Sequence, residues 1–90
     1  MDKTDLRIYV SKHCWGCQEA RKIAGEIRVE FPDVQVALVE RESAERWPDE
    51  IIATPAFMLD GKLVSWGNPT RERLRSLLAG AADKRQKPAV

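Results

Sequence analysis

Leu6-Arg7-Ile8-Tyr9-Val10-Ser11-Lys12-His13-Cys14-Trp15-Gly16-Cys17 joins a strand-like run to the only two cysteines of the chain. In its first five residues apolar side chains alternate with charged or aromatic ones, which is the period of a strand. From Gln18 to Glu30 the period becomes that of an amphipathic helix. Cys17, Ala20, Ala24, Ile27 and Phe31 recur three and four apart and form one buried stripe, with Gln18, Glu19, Lys22, Glu26 and Glu30 on the wet side. A strand that turns directly into a Cys-x-x-Cys helix places a thiol at a helix N-terminus. Unpaired N–H groups and the helix dipole there favour a thiolate over a thiol. Such a reactive thiol pair points to redox chemistry.

Working outward, Pro32-Asp33 ends this helix, and Val34, Val36 and Leu38 alternate with Gln35, Ala37 and Val39 in a second strand. Strand, helix and strand within so short a stretch read as a βαβ unit with parallel strands. Ser43 is placed to cap a short helix through Ala44, Glu45, Arg46 and Trp47, which Pro48 interrupts or restarts. Ala56-Phe57-Met58-Leu59 and Leu63-Val64-Ser65-Trp66 flank Asp60-Gly61, a dipeptide that favours a tight hairpin turn. Thr70 is the N-cap of a last helix whose Leu74, Leu77, Leu78 and Ala81 share a face, with Gly80 near its stop. The expected order is β-α-β-α-β-β-α. One domain is expected over residues 1–80, followed by a polar C-terminal tail over 81–90 whose composition suits disorder.

Ninety residues make one small domain with no room for a second core. The chain is 43% apolar and 32% charged with a formal net charge of +1, which argues against nucleic acid as a main partner. No apolar run approaches a membrane span. The polar start, Met1-Asp2-Lys3-Thr4-Asp5, reads as no signal peptide, so a cytoplasmic location is expected. Two close cysteines in that setting fit a redox or a metal role better than a structural disulfide framework.

The element order, with Cys-x-x-Cys after the first strand and Thr54-Pro55 opening the third, resembles the thioredoxin fold in its minimal, glutaredoxin-sized form. Ala53-Thr54-Pro55-Ala56-Phe57, Asp60-Gly61-Lys62-Leu63-Val64 and Gly67-Asn68-Pro69-Thr70 carry the likeness through the second half. The resemblance implies an α/β protein with a central mixed four-stranded sheet and helices on both faces. It also implies thiol–disulfide oxidoreductase activity. In the family, the residue matching Cys14 is the nucleophile that forms a mixed disulfide, and the one matching Cys17 resolves it. A redox-active Cys14–Cys17 disulfide would then take the place of any bound cofactor. Residues three apart at a helix are close enough for such a bond.

Pro55 matches the cis-proline that faces the motif. The backbone of the residue before it, here Thr54, pairs in the family with an extended substrate segment. Gly67 matches a glycine beside that groove, where a side chain would block the approach. The chain also departs from its relatives. Trp-Gly stands between the cysteines, Ile8 occupies the place of a buried thioredoxin aspartate, and Trp66-Gly67-Asn68 replaces a glutaredoxin glutathione-binding segment.

Trp15 lies off the buried stripe and reads as a contact for substrate. Lys12 and His13 are candidate modulators of the Cys14 thiolate, although a loop histidine is as often simply solvated. The expected partners are protein or small-molecule disulfides, with a flavoprotein disulfide reductase or glutathione as electron donor. Two rival readings stand beside this one. The first is a non-enzymatic redox relay or sensor docking on a specific partner. The second is a metal-binding dimer through Cys14 and Cys17, since one chain offers too few ligands for a closed site.

Overall fold

Strand β1 (Thr4–Val10) is the axis of the molecule, flanked on one side by β2 (Val34–Glu40) and on the other by β3 (Ala56–Leu59). The computed structural model describes residues 3–44 and 46–86, with side chains through residue 82. Strand β4 (Lys62–Trp66) completes a four-stranded sheet of order β2-β1-β3-β4. The pairing of β1 with β2 is parallel, from Thr4 opposite Val34 to Val10 opposite Glu40. A crossover of that kind needs a helix, and α1 (Cys17–Glu30) supplies it. The other two pairings are antiparallel. Asp60 and Gly61 both take positive φ, 50° and 83°, which is why Asp-Gly closes the β3–β4 hairpin tightly. The Asp60 N–H donates to the Asp5 carbonyl at 2.8 Å, and the Asp5 N–H donates to Asp60 Oδ1 at 2.9 Å, so β1 clamps the turn.

Alternation along β1 sends Leu6, Ile8 and Val10 to one face, where they meet Phe57 and Leu59 of β3. Both helices cover this face. Helix α1 contributes Cys17, Ala20, Ile23, Ala24 and Ile27, and α2 (Arg71–Gln86) contributes Leu74 and Leu78. Thr70 caps α2, its Oγ1 accepting from the Arg73 N–H at 3.1 Å. The opposite face carries a smaller cluster of Tyr9, Ile51, Ala56 and Met58, with Val39, Trp47 and Leu63 packed against it.

Three expectations need correcting here. The short helix placed at Ser43–Trp47 does not form among the described residues of that stretch, and Glu45 lies outside them. The Ser43 N–H instead closes a turn onto the Glu40 carbonyl at 3.1 Å. Proline disfavours a helical conformation in the residue before it, here Trp47. The indole then packs edge-on to Tyr9 at 5.3 Å and donates Nε1–H to the Ile51 carbonyl at 2.8 Å. As a result helices do not flank both faces; an irregular segment, 46–51, covers the second one. Finally, α2 does not stop at Gly80 but runs to Gln86. One interior glycine costs a helix only about 1 kcal/mol, and alanines surround this one. The last four residues of the expected tail, 87–90, lie outside the described residues.

Helices α1 and α2 are also tied by ion pairs. The Arg71 guanidinium bridges Glu19 at 2.6 Å and Glu26 at 2.9 Å, and Arg75 forks onto Glu30 at 2.7 Å. Hydrogen bonds from Arg71 hold the Glu26 carboxyl below its ordinary range, and those from Arg75 do the same for Glu30. A carboxyl depressed in the folded state stabilises above its unfolded value of about 4.3, and loses that effect as pH falls through the lower folded value. Exposed pairs of this kind contribute little individually. Arg71→Met should therefore lower Tm modestly at pH 6, with the gap between the two proteins narrowing as pH falls below the unfolded carboxyl value of about 4.3. A gap that stays constant through acid unfolding would assign Arg71 a packing role instead.

Candidate active site

Chain direction brings three loops together at the C-terminal end of β1. The first leaves β1 at Ser11 and passes through Lys12 and His13, both exposed, to Cys14, which is half-buried. The Lys12 backbone N–H donates to Glu42 Oε2 at 3.1 Å, and this bond is the main reason the Glu42 carboxyl sits below its ordinary range. Cys14 does not stand on the helix. Gly16 is the N-cap and Cys17 the first helical residue, so the cysteine pair spans the entry turn. The Cys14 carbonyl accepts from the Cys17 N–H at 3.3 Å, and the Gly16 carbonyl from Ala20 at 3.0 Å. Cys14 and Cys17 form a disulfide with their Cα atoms 5.3 Å apart. Cys17 faces the core with no exposed surface, whereas Trp15 next to it is fully exposed.

The second loop is Thr54-Pro55, joined by a cis bond, with Pro55 buried. The Pro55 ring faces Gly16, where a Cβ would stand 3.3 Å from its Cδ. Neither backbone N–H nor C=O of Thr54 has a hydrogen-bond partner among the described residues, while its hydroxyl lies 2.9 Å from Ser11 Oγ. The third loop follows β4. Gly67, at φ 71°, donates its N–H to the Pro55 carbonyl at 2.7 Å. A Cβ at Gly67 would enter open space, so its backbone conformation, and not crowding within the chain, calls for glycine. Asn68 closes the triangle by donating Nδ2–H to the Gly16 carbonyl at 3.0 Å.

Lys12, His13, Cys14, Trp15, Gln18 and Arg21 line a shallow cleft of about 380 Å³ on the open side of the disulfide. Of its two long cations, Arg21 is paired with Glu40 at 2.6 Å, while the Lys12 charge acts on Glu42. Among the described residues no three His, Cys, Asp or Glu side chains gather as metal ligands would. No helix of the described residues is long and apolar enough to cross a membrane.

Sequence reading pairs Cys14 with Cys17 and singles out Trp15, Thr54, Pro55 and Gly67, but it misses Ser11, Gly16, Asn68 and Glu42. Each of these four contributes through a contact between loops distant in sequence, which periodicity does not encode. Gly16 offers a direct check. A side chain there would meet Asn68 Nδ2 at 3.1 Å and Pro55 at 3.3 Å. Gly16→Val should cost about 1–3 kcal/mol through overpacking, read as a fall in the urea midpoint at constant slope. An unchanged midpoint would mean that the loops are free to part.

No family model and no curated protein sequence matches the chain. Solved structures do. A thioredoxin from Fasciola hepatica superposes with a TM-score of 0.67 at 20% identity, over 87% of this chain and 80% of that one. A chain from a study of the thiol resolving mechanism in yeast mitochondrial 1-Cys peroxiredoxin via glutathione/thioredoxin systems gives 0.68 at 17% identity, over 88% and 79%. Thioredoxin from Trypanosoma brucei brucei gives 0.60 at 18% identity, over 96% and 78%. The chain therefore has the thioredoxin-like fold, in a minimal form with a four-stranded mixed sheet and two helices.

Proposed function

We propose that this chain is a small thiol–disulfide oxidoreductase that cycles Cys14 and Cys17 between dithiol and disulfide and reduces protein or small-molecule disulfides. The carrying observation is the asymmetry of the pair: one sulfur belongs to a half-buried residue lining an open cleft, and the other to a residue fully inside the core. In the reduced protein the Cys14 thiolate attacks one sulfur of the substrate disulfide. A Cys14–substrate bond forms, and the other substrate sulfur leaves with the electron pair and takes up a proton. Cys17 then attacks Cys14, the internal disulfide closes, and the second substrate sulfur departs as a thiol. The overall change is two electrons and two protons from the dithiol to the substrate.

On this reading the unpaired backbone of Thr54 receives an extended substrate segment as an added strand would, with Trp15 and Gly67 along the rim. Lys12 and His13 bias the cleft toward the thiolate. No bound cofactor takes part. A flavoprotein disulfide reductase or glutathione, in the cytoplasm, returns the electrons. Insulin reduction tests this with each donor supplied separately. Donor-dependent turnover that disappears in Cys14→Ser is the expected result. No turnover with either donor, together with a partner-specific redox response, would move the protein to the relay class.

A further inference from the structure

We propose that Ser11 is a positioning residue that aims a hydrogen bond at the resolving sulfur and ties that sulfur to the substrate-side loop. This inference rests on the function proposed above. Cys17 lies with Ile8, Ala20 and Phe57 in the main apolar cluster, surroundings that leave a thiolate without compensation. The hydrogen bond that reaches its sulfur comes from the Ser11 backbone N–H, 3.4 Å from Cys17 Sγ. Ser11 is the first residue beyond β1, and the carbonyl of the same peptide, that of Val10, accepts from the Arg41 N–H at 3.0 Å, which holds the donor from the strand side. Its side chain holds it from the other side, because Ser11 Oγ and Thr54 Oγ1 are 2.9 Å apart, across 43 residues of sequence. One residue thus touches the buried sulfur with its backbone and the groove with its hydroxyl.

The chemistry concerned is the second step. Cys17 loses its proton and attacks Cys14 Sγ of the mixed disulfide. The Cys14–substrate bond breaks, its electron pair leaves on the substrate sulfur, and that sulfur is protonated. While Cys17 carries negative charge, a hydrogen bond to it is of the charge-assisted kind, worth more than a neutral one. The Ser11–Thr54 pair keeps that donor aimed. Because Thr54 also belongs to the loop whose free backbone would receive substrate, occupancy of the groove and readiness of Cys17 share one contact.

A chromogenic aromatic disulfide, 5,5′-dithiobis(2-nitrobenzoate), separates the two steps, because the reduced protein releases one coloured thiolate when Cys14 attacks and a second when Cys17 resolves. The readout is the rate of the second release divided by that of the first. Ser11→Ala and Thr54→Val should each lower this ratio about three- to tenfold, the scale of losing one neutral hydrogen bond, since each keeps the Ser11 N–H but loosens its aim. The double variant should lower it no further, since both changes remove the same contact. Ser11→Thr keeps the hydroxyl and should restore the ratio. A wild-type ratio in both single variants, effects that multiply in the double variant, or a failed rescue would each overturn the role of Ser11. A wild-type protein that releases no second equivalent would instead overturn the proposed function itself.

Discussion

Cys17→Ser should remain covalently attached to its substrates, accumulating mixed disulfides through Cys14 that survive non-reducing electrophoresis and disappear on reduction. Attack can proceed in this variant, because Cys14 lines the open cleft, but the release step has no thiol. Cys14→Ser should trap nothing, because the remaining cysteine has no exposed surface and lies in the main apolar core. The contrast is all-or-none, and mass spectrometry of the trapped species reads it directly. The reverse pattern, with adducts on Cys17 alone, would mean that the core side of the motif opens more readily than its packing allows.

The largest effect on stability is expected at Phe57. This residue follows the Thr54-Pro55 loop by two positions, pairs with Ile8 across the two central strands, and is fully buried in the helix-covered core. Phe57→Ala should cost about 3–5 kcal/mol, the usual range for emptying a buried aromatic site. For a domain this small that is a large share of a total expected near 5–15 kcal/mol. Urea unfolding of the oxidised protein measures it, and a loss under about 1 kcal/mol would show that the site collapses around the gap. Because β3 leads out of the groove, the same variant should also slow substrate engagement at temperatures where it is still folded.

Where local chemistry dictates structure, the sequence is a good guide. The alternating run before Cys14, the stripe on α1, the Asp60-Gly61 hairpin and the Thr70 cap each need only neighbours within a few residues. The βαβ crossover makes β1 and β2 parallel neighbours and the hairpin pairs β3 with β4, whereas the place of β3 beside β1 is a long-range pairing that local pattern does not encode. What local reasoning misreads is the stretch after β2. Ala44, Glu45 and Arg46 favour a helix, yet Trp47 gains more from Tyr9 and the Ile51 carbonyl, and Pro48 stands against helical continuation. The end of α2 is misjudged for the opposite reason, since a lone glycine among good helix formers is too weak a stop.

In the site, the residue types that carry chemistry are visible in the sequence, because sulfur reactivity and proline geometry are properties of single positions. The contacts that hold them together are not. Asn68 reaches Gly16 across 52 residues and Ser11 reaches Thr54 across 43. Nothing in hydrophobic spacing distinguishes these polar loop residues from solvated ones.

The uneven covering of the sheet gives the two faces different opening free energies. On the helix side, exposing the core requires parting α1 or α2 from the strands, which approaches global unfolding. On the other side the cover is an irregular segment whose hydrogen bonds include Ile51 N–H to the Pro48 carbonyl and Trp47 Nε1–H to the Ile51 carbonyl. Arg41 adds a cation–π contact, 5.5 Å from the Trp47 ring. Such a segment can lift while the strand ladder stays closed, so its amides belong with those that exchange by local fluctuation. It runs directly into Thr54 and Pro55. The wall of the groove that would grip a substrate should thus be anchored on one side by β3, whose amides should exchange late, and on the other by a stretch whose amides should exchange early.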